Sequence, residues 1–256
     1  MKSKSRFFAA FLACTALLPG ASVRAHESAD DMAEAAKVWL ASLGDEQKAK
    51  AVLPFDDVDR ETWHFVPKPF EGEGMRVGLT LKDMRPDQRH LAYALLSTGL
   101  SHHGFMTALE IMSLEQVLWE LENQAPRRDT LMYYLTIFGS PGDKHWSWTF
   151  EGHHLSMNFT VADGKVVSAT PTMFASNPGE VREGPRAGLR VLAREEDVAR
   201  SLVQSLDEAQ RAKAVVDSKA PNDVLTAAET KVSPLENAGI SYADMTVGQQ
   251  QALRGL

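Results

Sequence analysis

A helical segment that occurs twice in one chain needs two places to bury the same apolar stripe, and this sequence carries such a segment. Leu43-Gly-Asp-Glu-Gln-Lys-Ala-Lys-Ala-Val52 returns as Leu206-Asp-Glu-Ala-Gln-Arg-Ala-Lys-Ala-Val215, an offset of 163 residues from Leu43 to Leu206. Gly78-Leu-Thr-Leu-Lys-Asp-Met-Arg-Pro-Asp-Gln88 returns as Gly239-Ile-Ser-Tyr-Ala-Asp-Met-Thr-Val-Gly-Gln249, an offset of 161 from Gly78 to Gly239. Two matches at nearly one spacing point to duplication. Two unrelated surface helices of similar composition would explain the first match but not the second.

Between the copies the hydrophobic period changes. Residues 32–43 and 45–53 predict amphipathic helices, the second ended by Pro54, and residues 86–97 and 105–122 predict two more. Residues 62–78 are rich in Pro and Gly and read as irregular. Over 131–138, 145–150, 154–161 and 166–169 the pattern alternates and is β-branched and aromatic, which predicts strands. Ala162-Asp-Gly-Lys165 is a hairpin turn signal. After a loop over 171–188, helices return over 195–216. The expected fold is α+β: a helical layer packed on a largely antiparallel sheet spanning 131–170, with a second, incomplete copy of the helical part at the C-terminus. The first unit spans residues 26–192. The second, 193–256, holds helices without strands and is expected to be the truncated start of a longer repeat.

The N-terminus reads as a signal peptide over residues 1–25. Lys2, Lys4 and Arg6 precede an apolar run of about a dozen residues from Phe7 to Leu18, and Val23-Arg24-Ala25 offers small residues for cleavage. That run is too short to span a bilayer, which takes about 20 apolar residues. The expected location is therefore periplasmic or extracellular. Cleavage removes the only cysteine, Cys14, so the mature chain has no disulfide and no Cys-based metal site. It also removes four basic residues, leaving the mature chain four charges more negative than the −7 of the whole. Such a balance argues against nucleic acid, which needs a basic face, and no later segment is apolar enough to span a membrane.

Motifs for a zincin, a P-loop, a dinucleotide fold or an EF-hand are absent from the sequence. Gly99-Leu-Ser-His-His-Gly104 approaches a nucleophile elbow but has His where the second Gly belongs, after a helix. Histidines stand out instead: five of the eight lie in or beside two short runs, His102-His103 and His145 with His153-His154. If residues 153–161 run as a strand, His153 shares the core face of Leu155, Met157 and Phe159. His154, with Ser156 and Asn158, then faces a polar cleft or water. Imidazole is a common metal ligand and a proton carrier near neutral pH. The ligand-binding candidates are His102, His103, Glu151, His153, His154 and Arg128. The four histidines are also the candidate metal ligands, with a divalent transition metal as the candidate cofactor. Equally open is that His153 is a bonded core histidine, that the 102/103 pair caps a helix junction, and that the loop arginines (Arg127, Arg128, Arg182, Arg186, Arg190) pair with the chain's own carboxylates. His26 would begin the mature chain, but the acidic run after it reads as a tail, not as a rigid copper site.

Two function readings follow. One is an exported protein that binds a metal or small molecule through histidines, with enzymatic activity left open and no catalytic residue assigned. The other is a non-catalytic cell-envelope binding module with structural histidines.

In order along the chain stand Trp63-His-Phe-x-Pro67, Leu100-Ser-x-x-Gly104, Ile137-Phe-Gly-x-Pro141, Trp146-x-Trp-x-x-x-Gly-His-His-Leu-Ser156, Pro171-x-x-Phe174, Asn177-Pro178 and Gly188-Leu-Arg-Val-Leu192. With these the chain resembles the domain of unknown function 3500 family. The resemblance implies an exported or extracellular protein, continuing past Leu256 into a second aromatic strand and a His-x-His segment. It supplies no activity, substrate or cofactor. Thr149-Phe150 stand where members carry an Arg, so no ionic role is carried to that spot.

Overall fold

The computed structural model describes residues 28–67 and 76–256; the expected signal peptide and His26 lie outside the described residues. The chain enters through α1 (Ser28–Ser42) and α2 (Asp45–Ala51). The helix expected over 45–53 stops at Ala51. Val52 and Leu53 extend instead as β1 (Val52–Leu53), parallel to β3 (Tyr134–Phe138). A β-branched residue and a proline just beyond Leu53 both disfavour another helical turn. β2 (Leu79–Thr80) pairs antiparallel with the other half of the same edge of β3.

The remaining strands are antiparallel. β4 (His145–Gly152) takes the second edge of β3, and β5 (Leu155–Ala162) follows it. β6 (Lys165–Ser168) and β7 (Thr172–Phe174) then share the far edge of β5. The fold is the α+β arrangement expected, and β7 lies inside what the sequence presents as loop.

Strand alternation sorts the side chains of the sheet. Trp146, Trp148 and Phe150 of β4 and Leu155, Met157, Phe159 and Val161 of β5 project to one face and are buried. There they meet α1, α3 (Pro86–Thr98) and α4 (His102–Leu121), which contribute Trp39, Leu95, Leu96 and Ile111. Trp148 and Phe159 stack with ring centroids 4.5 Å apart. Gly99, between α3 and α4, lies so close to this stack that a Cβ would come 2.7 Å from Phe159 Cζ. Each large apolar side chain so buried contributes roughly 1.5–3 kcal/mol.

The second unit repeats the first down to single hydrogen bonds. α5 (Ala193–Ser205), α6 (Glu208–Ala214) and α7 (Val247–Gly255) correspond to α1, α2 and α3. In the first unit Gln47 Nε2 donates to Asp83 O (2.8 Å), and Gln88 Nε2 donates to Ser42 O (2.8 Å) and Gln47 Oε1 (2.9 Å). In the second, Gln210 Nε2 donates to Asp244 O (2.9 Å), and Gln249 Nε2 donates to Ser205 O (2.9 Å) and Gln210 Oε1 (2.9 Å). Lys50 with Asp83 becomes Lys213 with Asp244. Gly78 (φ +107°) and Gly239 (φ +102°) adopt the same left-handed conformation. The units differ in what lies beneath them. The first rests on β3 through β1 and β2, whereas among the described residues no strand pairs with Val215, Val216, Ile240 or Ser241.

Candidate functional site

The tip of the β4–β5 hairpin carries the paired histidines. The sequence expectation placed His154 at the start of a strand, facing a polar cleft or water with Ser156 and Asn158. Instead Gly152 pairs with Leu155, and His153 and His154 are the two turn residues between them, His154 at φ 58°. A two-residue connection needs a left-handed residue, and the cost of placing a non-glycine there is met by tertiary bonds. His154 N donates to Phe65 O (2.8 Å), and Ala175 N donates to His154 O (2.9 Å).

His153 is buried and held. Its Nδ1 is hydrogen-bonded to Glu115 Oε1, and Arg128 Nη1 lies 3.3 Å from the same nitrogen and 3.7 Å from Glu115 Oε1. Arg128 also clasps Glu122 through Nη2 (2.7 Å) and Nε (3.0 Å), which raises the guanidinium above its usual value and lowers the Glu122 carboxyl. Tyr133 Oη donates to the His153 carbonyl (3.1 Å). His153, Glu115, Arg128 and Tyr133 are thus bonded to one another, the pattern of a structural network, while Nδ1 of the neighbouring His154 is buried without a partner. His154 is half-buried; burial first, then His153 and Arg128, lower its pKa to about 4, so it is neutral near pH 7.

His102 and His103 do not join this cluster. They form the first turn of α4 rather than a connector, exposed behind the N-cap Ser101, whose Oγ accepts from Gly104 N (3.1 Å). Glu115, which touches His153, lies thirteen residues further along the same helix, about 20 Å at 1.5 Å per residue. Among the described residues no three His, Cys, Asp or Glu side chains are placed to hold a metal ion. The four histidines expected to converge on a metal are therefore split between opposite ends of α4.

Glu151 belongs to a different place, the second face of the sheet. Ser147, Thr149 and Glu151 of β4 stand opposite Thr160, Asn158 and Ser156 of β5, with Thr136 of β3 beside them. All but the half-buried Thr160 are buried. Ser156 Oγ donates to Glu151 Oε1 (2.8 Å), and Asn158 Nδ2 donates to Pro171 O (2.9 Å). Burial raises the Glu151 pKa to about 7 against the opposing pull of Ser156, Arg76 and Asn158. Arg76, itself lowered by burial, donates through Nη2 to His64 O (3.0 Å), Val66 O (2.6 Å) and Gly152 O (2.9 Å), tying the covering loop to the hairpin.

Among the described residues no helix covers this face. Loop segments cross it, and they leave a cleft of about 370 Å³ lined by Ser147, Trp148, Thr149, Asn158, Phe159, Thr160, Ser168, Thr170 and Pro171, together with Arg60, Glu61 and Thr230. Ser147 Oγ, Asn158 Oδ1 and Arg60 Nε are buried there without a hydrogen-bond partner. Arg60 pairs with Glu61 (3.1 Å), so the rim charges cancel. An adjoining cleft of about 540 Å³ shares Glu61, Thr170, Pro171 and Thr230 and adds Trp63, whose indole Nε1 donates to Glu229 O (3.4 Å).

A larger hollow of about 930 Å³ lies near Arg182, Arg190 and Arg200. Its cations are internally neutralised where they are paired: Arg190 binds Glu196 (2.8 Å) and Asp197 (2.7 Å), and Arg200 binds Glu196. Arg186, at the same loop, donates to Ser113 O (2.9 Å) and Ser113 Oγ (2.8 Å).

Sequence reasoning missed Glu115, Arg76, Ser147 and Arg60. Glu115 had a signal: it interrupts the apolar stripe of Ile111 and Leu118, where a carboxylate must find a partner. Ser147 lay on the polar register of a strand read mainly for its tryptophans. Arg76 and Arg60 sit in irregular chain, whose path no periodicity reveals.

A family model described as protein of unknown function (DUF3500) matches residues 25–256. No curated protein and no solved structure matches the chain. No described helix is long and apolar enough to cross a membrane.

Proposed function

As the chain belongs to the DUF3500 family, whose description names no activity, we propose a function from the site alone: an exported, non-catalytic binding module that holds a small, neutral, hydroxyl-rich ligand against the polar face of the sheet. The observation that carries the proposal is the pair of buried, unpartnered acceptors, Ser147 Oγ and Asn158 Oδ1, on two residues that line one cleft. Buried polar atoms without partners cost free energy, roughly 1–3 kcal/mol each, and in a folded protein they call for an occupant. The lining is mostly hydroxyl and amide beside Trp148, Phe159 and Pro171, with one cation cancelled by one carboxylate, which suits a polyol or sugar that both donates and accepts. An anion would need an uncompensated cation, and Arg60 is paired. Trp63 at the joined cleft offers an aromatic face for a sugar ring.

The histidine-centred reading fares less well, because His153 is committed to Glu115 and Arg128, and His102 and His103 lie at the far end of α4. Export rests on the N-terminal sequence, outside the described residues.

The test is thermal unfolding of the mature chain with glucose, galactose, trehalose and sorbitol, against citrate, phosphate and Zn²⁺. A neutral ligand at ten times its Kd stabilises by about 1.4 kcal/mol, a rise in Tm of roughly 3–6 °C for a chain of this size. A saturable rise with one or more neutral polyols is expected. Stabilisation by Zn²⁺ or the anions alone would overturn the reading.

A further inference from the structure

We infer that the ligand is amphipathic: a glycoside with its sugar in the polar cleft and an apolar aglycone in the adjoining cleft beside Trp63. Such a ligand presumes that the polar cleft is a sugar site, as proposed above, and adds what that sugar carries. The two clefts are contiguous, because Glu61, Thr170, Pro171 and Thr230 line both. Their volumes, about 370 and 540 Å³, together stay within the roughly 300–1,000 Å³ of a small-molecule site. One molecule can therefore reach from one cleft into the other.

The clefts differ in what they ask of an occupant. Ser147 Oγ, Asn158 Oδ1 and Arg60 Nε, all buried without a partner, belong to residues of the polar cleft. Among the described residues that line only the second cleft, none carries a buried side-chain polar atom without a partner. Trp63, Pro171, Met173, Val224 and Val232 line it with four threonines and two glutamates, and the surface they present is mostly carbon. The indole nitrogen of Trp63 is committed to Glu229 O (3.4 Å), which leaves its ring carbons rather than its donor for a ligand. Val224 and Val232 are 43% and 55% exposed, apolar side chains that an occupant would shield from water. A second sugar would bring hydroxyls to a surface with no buried group in want of a partner. An aryl or alkyl group gives up no hydrogen bonds there and hides carbon on both sides.

Isothermal titration calorimetry of the mature chain would compare methyl and phenyl glycosides of glucose and galactose, in both anomers, with lactose, maltose and cellobiose. A phenyl glycoside is expected to bind about tenfold or more tighter than the methyl glycoside of the same sugar and anomer. No disaccharide is expected to match it. Trp63→Ala removes the ring, and Val232→Asp places a charge on the same wall at an exposed position; each should bring the advantage of phenyl over methyl below about threefold. Equal binding of phenyl and methyl glycosides, a disaccharide as tight as the phenyl glycoside, or an advantage that survives both variants would overturn the inference and leave the polar cleft a sugar site. No binding of any glycoside, or phenyl binding indifferent to Ser147→Val with no methyl binding, would overturn the polar-cleft reading and this inference with it.

Discussion

The two faces of the sheet are made by the same strands and have opposite characters. On one, Trp146, Trp148, Phe150 and Phe159 are sealed beneath three helices, with aromatic rings in contact. On the other, the alternate residues Ser147, Thr149, Glu151, Ser156 and Asn158 are nearly as buried but polar, covered by loops, and left with unpartnered atoms. Burial alone therefore does not mark a core. The apolar face also buries two unpartnered atoms, Trp39 Nε1 and Trp148 Nε1, but gains stability from the carbon it hides, whereas the polar face gives stability up, as binding sites do.

That contrast can be broken first at its strongest point. Trp148→Ala empties the apolar face and should cost about 3–5 kcal/mol in urea unfolding; a cost below about 1 kcal/mol would mean that the helices do not rest on the sheet as described.

Glu151 sharpens the polar side. Its folded pKa, about 7, is above the usual value of 4.5, so the folded state holds a proton that the unfolded chain has released. The stability this contributes is complete below about pH 4.5 and is lost as pH rises to about 7. Glu151→Gln should remove that slope and leave the variant about 3 kcal/mol more stable than the parent at pH 8. His154, with its pKa lowered to about 4, acts the other way: its contribution is present above about pH 6.5 and is lost as pH falls to about 4. The two partly cancel in the parent, so chemical unfolding of Glu151→Gln should expose the His154 slope alone. An unchanged pH profile would count against the burial of Glu151.

The smallest effect is expected far from both faces. His102→Ala with His103→Ala, at an exposed helix end, should change stability by less than about 0.5 kcal/mol and leave ligand-induced shifts in Tm untouched. A loss of ligand response in that variant would return these histidines to the site.

Much of this architecture was legible in the sequence because periodicity records burial. The alternation over 131–170 gave the strands, and the repeated Gln-containing segments gave the matched helices of α2 and α6. What failed were the places where tertiary context overrides local pattern. Val52 and Leu53 joined the sheet because β3 offered an edge, and His153-His154 became a turn because Phe65 and Ala175 hold the left-handed backbone there. Adjacent histidines looked like converging ligands, yet thirteen residues of straight helix separate His102 from the Glu115 that holds His153. Of the proposed site residues, Glu151 lies on the polar face, His153 and Arg128 share one buried network, and His154 leans on it at the hairpin tip. Asn158 was read on a face turned to a polar cleft or water and Ser147 only as a polar strand position, and neither reading showed the missing partners, because an unpartnered atom is a property of the assembled fold.

The polar face as a binding site is tested most directly by Ser147→Val, with stability and ligand response measured on the same samples. The substitution removes a buried hydroxyl that has no partner and fills part of the cleft with a side chain suited to a strand. The account predicts a protein as stable as the parent or up to about 1 kcal/mol more stable, whose Tm no longer rises with the neutral polyols that stabilise the parent. A variant destabilised by more than about 1 kcal/mol that still responds to those polyols would contradict it, because Ser147 would then be serving the fold and not a ligand.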